Sequence, residues 1–334
     1  MRAEVISFKK FGYDPFIGFL KAYAIICVII AHNLPSFLWD YCLFRVWADM
    51  QVPMFILIQA FHAYKKGEKP KIKWNPFLKR IIIPFFIIQG LILSVKLIVG
   101  GGNFHDLINK FFINGGFGPG SYYFWIYIQI AIILVLIWSF VKKLSRIQLT
   151  WAFLSLSIGC EVLFSLIQLP DSIYRLLAVR YLFLIPLSLI WIETGVVLTF
   201  KNVALSIISI GAVIFFSFSK MDLEPLFYNT GWATHRWICY FYLPILLTYL
   251  LWLLFKWLNK YQLLSSIIQQ IANSSYEIYL IQMLVFVLVP ASRLNFIQSA
   301  YVRISIWILL TFTLSITGGL LFNRFEQRYL EKKK

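Results

Sequence analysis

Residues 16–39 read FIGFLKAYAIICVIIAHNLPSFLW, twenty-four positions with one fixed charge, Lys21, and one histidine, His32. A helix of about 20 apolar residues crosses the hydrocarbon core of a bilayer, and this tract exceeds that length. No small-residue cleavage site follows it, so it is expected to remain in the chain as a span rather than act as a cleaved signal. The same signal recurs along the 334 residues, at 46–64, 81–99, 121–141, 147–170, 176–200, 202–219, 237–255, 273–291 and 304–323. The prediction is an all-α, polytopic bundle of about ten transmembrane helices forming a single integral membrane domain over 1–334. Composition agrees: 60% of the residues are hydrophobic and 13% charged, against roughly half and a quarter in soluble domains. Such a chain cannot cover itself with polar surface. Aromatic residues reach 19%, with 32 Phe, as expected where rings face lipid and its interfaces.

The formal charge of +17 would point to nucleic acid in a soluble protein. In a polytopic protein basic residues gather in the cytoplasmic loops, where they face anionic lipid. With the N-terminus inside, 21 of the 31 basic residues fall on the inner side, among them the run Lys65, Lys66, Lys69, Lys71, Lys73, Lys79 and Arg80. Seven fall outside, at Arg45, Lys110, Arg175, Lys220, Arg236, Arg293 and Arg303. This bias places both termini in the cytoplasm of a multi-pass protein of the plasma or inner membrane, with membrane lipid and no nucleic acid as partner. Cys27, Cys160 and Cys239 lie in apolar tracts as small hydrophobes, and Cys42 sits near an outer loop. No Cys/His spacing predicts a metal site.

Two outer segments are long: GGGNFHDLINKFFINGGFGPG at 100–120 and KMDLEPLFYNTGWATHR at 220–236. The glycines of the first are not a phosphate loop, since no strand precedes them and no GK[ST] follows. A flexible lid or a re-entrant segment is expected there. No internal repeat marks the inverted halves of a secondary transporter.

Ionisable residues inside spans are costly and face a bundle interior or a wet cavity. They are Lys21, His32, Lys96, Glu161, Arg180, Glu193 and Glu277, with His62 near a span end. Lys96 and Glu277 lie close to span ends, where snorkelling is the simplest reading. Lys21 and His32 differ because they share a helix. Eleven residues at about 100° each return both side chains to one wall, about 16 Å apart along the axis. That wall carries a cation toward the inner leaflet and, in the outer half, an imidazole suited to accept a proton near neutrality. At the inner start of the third span, PFLKRIIIPFF (76–86) sets Lys79 and Arg80 as positive-inside markers or as a clamp for an anionic cytoplasmic ligand.

These residues carry a resemblance. DPFIGFLKAYAIICVIIAH (14–32) resembles the opening of the acyltransferase-3 family of membrane O-acyltransferases: a basic residue, ten others, then His at the end of the first helix. Lys21 matches the basic position, which is often Lys in the fucose 4-O-acetylase-like branch, and His32 matches the histidine. VPMFILIQAF (52–61) is similar to the family's second-span segment, with Gln59 and Ala60 where Ser-Gly is usual. LKRIIIP (78–84) is similar to the basic start of its third helix, with one arginine evident where two are commoner. SYYFWIYIQ (121–129) resembles its aromatic fourth-span start, and NSSYEIYLIQ (273–282) its late SYxIYLxH segment, with Gln282 where His is frequent.

The resemblance implies transfer of an acetyl or similar short acyl group from cytoplasmic acetyl-CoA, a co-substrate, to a hydroxyl of a cell-surface or lipid-linked glycan. His32 and Lys21 are then the expected catalytic residues. Lys79 and Arg80 are expected at the CoA phosphates, and Arg180, Glu193 and Tyr123 at the acceptor. His32 would act as general base or as covalent acyl relay. Two other readings stay open. One is a transporter or flippase for a glycan or lipid-linked sugar, with Arg180, Glu193 and Lys21 along its path. The other is an inactive family member serving in assembly.

Overall fold

The computed structural model of the chain describes residues 5–6, 15–34, 44–100, 103–218 and 240–331. Cys42, Cys239 and the outer segment 220–236 lie outside them. The longer helices are α1 (Pro15–Asn33), α2 (Gln51–Tyr64), α3 (Ile83–Gly100), α4 (Phe104–Asn114), α5 (Tyr122–Leu136) and α6 (Arg146–Leu166). They continue with α7 (Leu184–Thr194), α8 (Phe200–Phe218), α9 (Thr248–Leu258), α10 (Gln262–Asn273), α11 (Ser275–Leu288) and α12 (Ala300–Glu331). A short antiparallel pair joins Val5–Ile6 to Val196–Val197.

α1 opens on Pro15, whose fixed φ suits a first helical position, and runs apolar on every side. Its most apolar window is 67% buried, against 17% in α12. A helix hydrophobic all round belongs in an interior, so α1 is central. It packs on α2, α10, α11 and α12. α12 leaves Leu309, Leu321 and Phe325 largely exposed, which suits a lipid-facing surface.

Among the described residues, four helical stretches are long and apolar enough to cross a membrane: Pro15–Asn33, Trp74–Val99, Arg146–Leu166 and Ala300–Arg328. α10 and α11 make a fifth if read as one span bent by 72°. Tyr122–Leu136, Phe200–Phe215 and Leu243–Leu258 are shorter apolar helices. The predicted spans 46–64 and 176–200 therefore take a different form. The 14 residues of α2 and the 11 of α7 reach only about 21 and 16 Å, short of the roughly 30 Å hydrocarbon core. Both are mostly buried against other parts of the protein. Backbone at membrane depth can leave a helix only where protein satisfies its polar groups. Before α7 it does: Gln129 donates to Leu176 O (2.7 Å) and accepts from Ala178 N (3.1 Å), and Ser157 donates to Val179 O (2.8 Å).

Proline sets the other irregularities. Pro84 has no N–H to give Arg80 O, and the turn Leu78–Ile82 just before it is a π-helix. Pro244 lies in a second π-turn, Leu243–Leu247. The bend between α10 and α11 is held by Asn323 Nδ2, which donates to Ser274 Oγ at 2.7 Å.

Candidate active site

Lys21 and His32, on one wall of α1, both line a cavity of about 620 Å³. α2 supplies Phe55, Gln59 and His62 to it, α5 supplies Tyr123 and Tyr127, and α11 supplies Tyr276 and Tyr279. Its length follows the α1 wall, from the level of the lysine to that of the imidazole. Three tyrosines are pinned. Tyr276 donates to Ile81 O (2.5 Å), Tyr279 donates to Gly120 O (2.9 Å), and Tyr123 meets Tyr279 edge-on with centroids 5.8 Å apart. Gln59, at the position of the altered Ser-Gly pair, donates to Tyr127 O at 3.0 Å and ties α2 to α5.

A second cavity, of about 530 Å³, meets the first at His32, Gly120 and Tyr122. Lys96, Lys110 and Arg175 line it, under the turn that follows α4. His32 thus stands in the partition between two chambers. The next residue fixes its aim: Asn33 Nδ2 donates to Ile29 O (2.8 Å), and the Thr311 hydroxyl of α12 donates to Asn33 Oδ1 (2.5 Å). His32 itself packs edge-on to Phe286, and among the described residues its ring nitrogens make no hydrogen bond.

The glycine-rich segment corrects the expectation of a flexible lid. Asn103 caps α4 by accepting from His105 N (3.0 Å), and Gly115 ends it in the left-handed region at φ 70°. The turn is then clamped to its surroundings. Trp125 Nε1 donates to Gly115 O (2.7 Å), while Gln89 accepts from Phe117 N (2.6 Å) and donates to Phe117 O (3.1 Å). At Gly118 an added Cβ would lie 2.9 Å from Met283 Cβ, so close approach as well as φ demands glycine. A segment held by the buried Gln89 of α3 and the half-buried Trp125 of α5 is a fixed wall.

Gly120 matters for what it leaves open. A Cβ there would sit 3.5 Å from His32 Nε2 and 3.9 Å from Gln282 Nε2. Gly120 therefore lies beside both the imidazole and a carboxamide, that of Gln282, which lines neither cavity itself. Gln282 is fully buried and neither of its amide atoms has a partner. Leaving a buried polar group unpaired costs about 1–3 kcal/mol, so a polar ligand atom beside Gly120 would relieve it. Sequence reading noticed Gln282 only as a departure from a family pattern. Its signal was a lone carboxamide in an apolar run, YLIQML, 250 positions from His32.

The remaining predicted residues are spread more widely. Lys21, His32 and Tyr123 line the first cavity. Lys79 and Arg80 lie exposed on the π-turn, two residues and one residue before the lining residue Ile81, and Arg80 acts electrostatically on Glu277 and Glu326. Arg180 lines neither cavity. It is buried over the rings of Tyr181 and Tyr174, 4.8 and 5.5 Å from their centroids, and donates to Arg175 O at 3.2 Å. Glu193 is away from both cavities, half exposed and paired with Arg146 at 2.5 Å; Arg146 also donates to Val141 O.

A helical membrane protein with a histidine between two chambers can bring two substrates together across one imidazole, which defines it as a candidate membrane-embedded transferase. Residues 14–324 match the profile of the acyltransferase-3 family, an acyltransferase domain, and the chain belongs to that family. No curated protein and no solved structure matches it.

Proposed function

We propose that this acyltransferase moves an acetyl or similar short acyl group from cytoplasmic acyl-CoA to a hydroxyl of a cell-surface or lipid-linked glycan, in the manner of the fucose 4-O-acetylase-like branch. The observation that carries this reading is the place of His32 in the partition between two cavities of different lining. The acyl-pantetheine arm takes the first, tyrosine-lined cavity. Lys21 lies along it and Lys79 and Arg80 stand beside its wall, as cations for the CoA phosphates. The acceptor enters the second cavity.

His32 then acts as general base. It takes the proton of the acceptor hydroxyl while that oxygen attacks the thioester carbonyl, and the tetrahedral oxyanion forms beside Gly120. The carbon–sulfur bond breaks, the CoA thiolate takes the proton back from the imidazolium, and the products are an ester and CoA thiol. An oxyanion needs donors in place before it forms, and the Gln282 carboxamide is the one assigned here.

The test is release of CoA thiol by purified protein given acetyl-CoA and envelope glycan, with mass analysis of the glycan for added acetyl groups. Acetyl on the glycan is the expected result. Movement of a labelled lipid-linked sugar across proteoliposomes without thiol release would replace this reading with the transporter one. Cysteines introduced at Asn103 and at Lys69 check the sidedness: an impermeant reagent outside the cell should reach the first alone.

A further inference from the structure

The second cavity holds an imbalance of charge. Three cations line it, Lys96 on α3, Lys110 on α4 and Arg175 before α7, with no Asp or Glu among the lining residues. Among the described residues none of the three has an ion-pair partner, whereas Arg146 is matched by Glu193. Arg175 is held in place by a neutral group: its Nη2 donates to Asn114 Oδ1 at 2.5 Å. That contact orients the guanidinium without cancelling its charge. Its Nε is buried and unpartnered. Lys96 does not extend away from the cavity, because its Nζ lies 5.6 Å from the centroid of the clamped Phe117 ring.

Like charges sharing a partly desolvated space repel one another, and a carboxylate or phosphate placed between them gains charge-assisted hydrogen bonds, in particular from guanidinium. We propose that the second cavity binds an anionic substituent, carboxylate or phosphate, carried by the acceptor sugar itself. The acceptor class is then an acidic glycan, a uronate or a sugar phosphate, held by Lys96 and Arg175 while a hydroxyl of the same molecule reaches His32. This rests on the acyl-transfer reading above and names its acceptor. A cation snorkelling toward phospholipid headgroups would point away from the catalytic histidine. These instead line the chamber to which His32 belongs.

The experiment uses full-length protein in phosphatidylcholine nanodiscs, titrated with octyl glucuronide and octyl glucoside, which differ only by the carboxylate at C6. The glucuronide should bind at least tenfold more tightly, with a preference that falls as salt is raised. Glucose 6-phosphate should compete with it. Lys96→Met/Arg175→Gln should bring the two affinities to within about twofold while acetyl-CoA affinity, read in the same sample as the control for folding, holds. If the double variant loses acetyl-CoA binding, Lys110→Gln serves instead, with a smaller loss of preference expected. Equal affinities in the wild type, or a preference that survives both variants, would overturn the proposal. So would displacement of the glucuronide by phosphatidylglycerol as readily as by glucose 6-phosphate, which would make this a headgroup site. The two readings fail separately. Anion preference without any thiol release from acetyl-CoA removes the transferase reading, and thiol release as fast with the glucoside as with the glucuronide removes the acidic acceptor.

Discussion

The two cavities that meet at His32 are built by different means. The first is walled largely by helix faces, with lining at helical spacing (Phe55, Gln59 and His62 on α2, Tyr123 and Tyr127 on α5, Tyr276 and Tyr279 on α11), and is completed by Arg45, Asp49, Gly120 and Tyr181 from shorter segments. The second is walled by interrupted chain: the end of α3, the amphipathic α4, the clamped turn at 115–120 and the broken segment around Arg175. Helix faces make a long chamber rich in tyrosine, with Lys21, Arg45 and Asp49 as its charged groups, suited to one extended molecule. In the second, turns and helix ends bring three cations together with no carboxylate, whereas Asp49 lines the first. Two chambers so different argue for two substrates of different chemistry, with the imidazole in reach of both.

The largest effect should come from the shared wall. His32→Ala should lower acyl transfer by about 10² to 10⁴ with expression and thermal stability near wild type, because the half-buried ring makes no hydrogen bond among the described residues. Activity within a few-fold of wild type would remove His32 from the chemistry. Next is the carboxamide beside Gly120. Gln282→Leu keeps size and burial and removes the donor, so kcat should fall by about 10² to 10³ while the KM values for both substrates stay within a few-fold. A fall in thermal stability with kcat unchanged would make Gln282 a packing residue.

Moving into the donor side alone, Arg80→Ala should weaken acetyl-CoA by about 1.5–3 kcal/mol, as for loss of a charged hydrogen bond, with the acceptor unaffected. Lys79→Ala should cost less, since an ammonium does not bind phosphate bidentately. Calorimetric titration of CoA reads both. Equal affinity in wild type and Arg80→Ala would leave Arg80 to its carboxylate neighbours Glu277 and Glu326. The smallest effect belongs to a residue outside both chambers. Glu193→Ala breaks a solvent-exposed pair and should cost at most about 1 kcal/mol of stability, with kcat and both KM values unchanged. A large loss of acceptor binding would restore Glu193 to the substrate path that the sequence had suggested.

Legibility from sequence followed distance along the chain. The placing of Lys21 and His32 on one wall was readable because both lie on one helix. The helical character of the chain was readable from its apolar tracts. The interruptions at 48–50 and 175–183 were not, since an apolar tract has the same composition whether its helix is continuous or broken. Arg180 and Glu193 both fall within the predicted span 176–200. That span is broken at 175–183, and the break sends one side chain onto two tyrosine rings and the other to an exposed ion pair.

Composition and local periodicity by themselves determined that this is a helical membrane protein and that a lysine and a histidine face one way along its first helix. The physical reason is that solvent preference sums over residues one at a time and that helix geometry turns every residue by the same angle. Only the tertiary structure decided that Gln282 and His32 both lie beside Gly120, and that Lys96, Lys110 and Arg175 share a chamber with His32. Those neighbours come from different helices, and their meeting depends on how packed side chains, a capped α4 and a bend at Ser274 set each helix against the next.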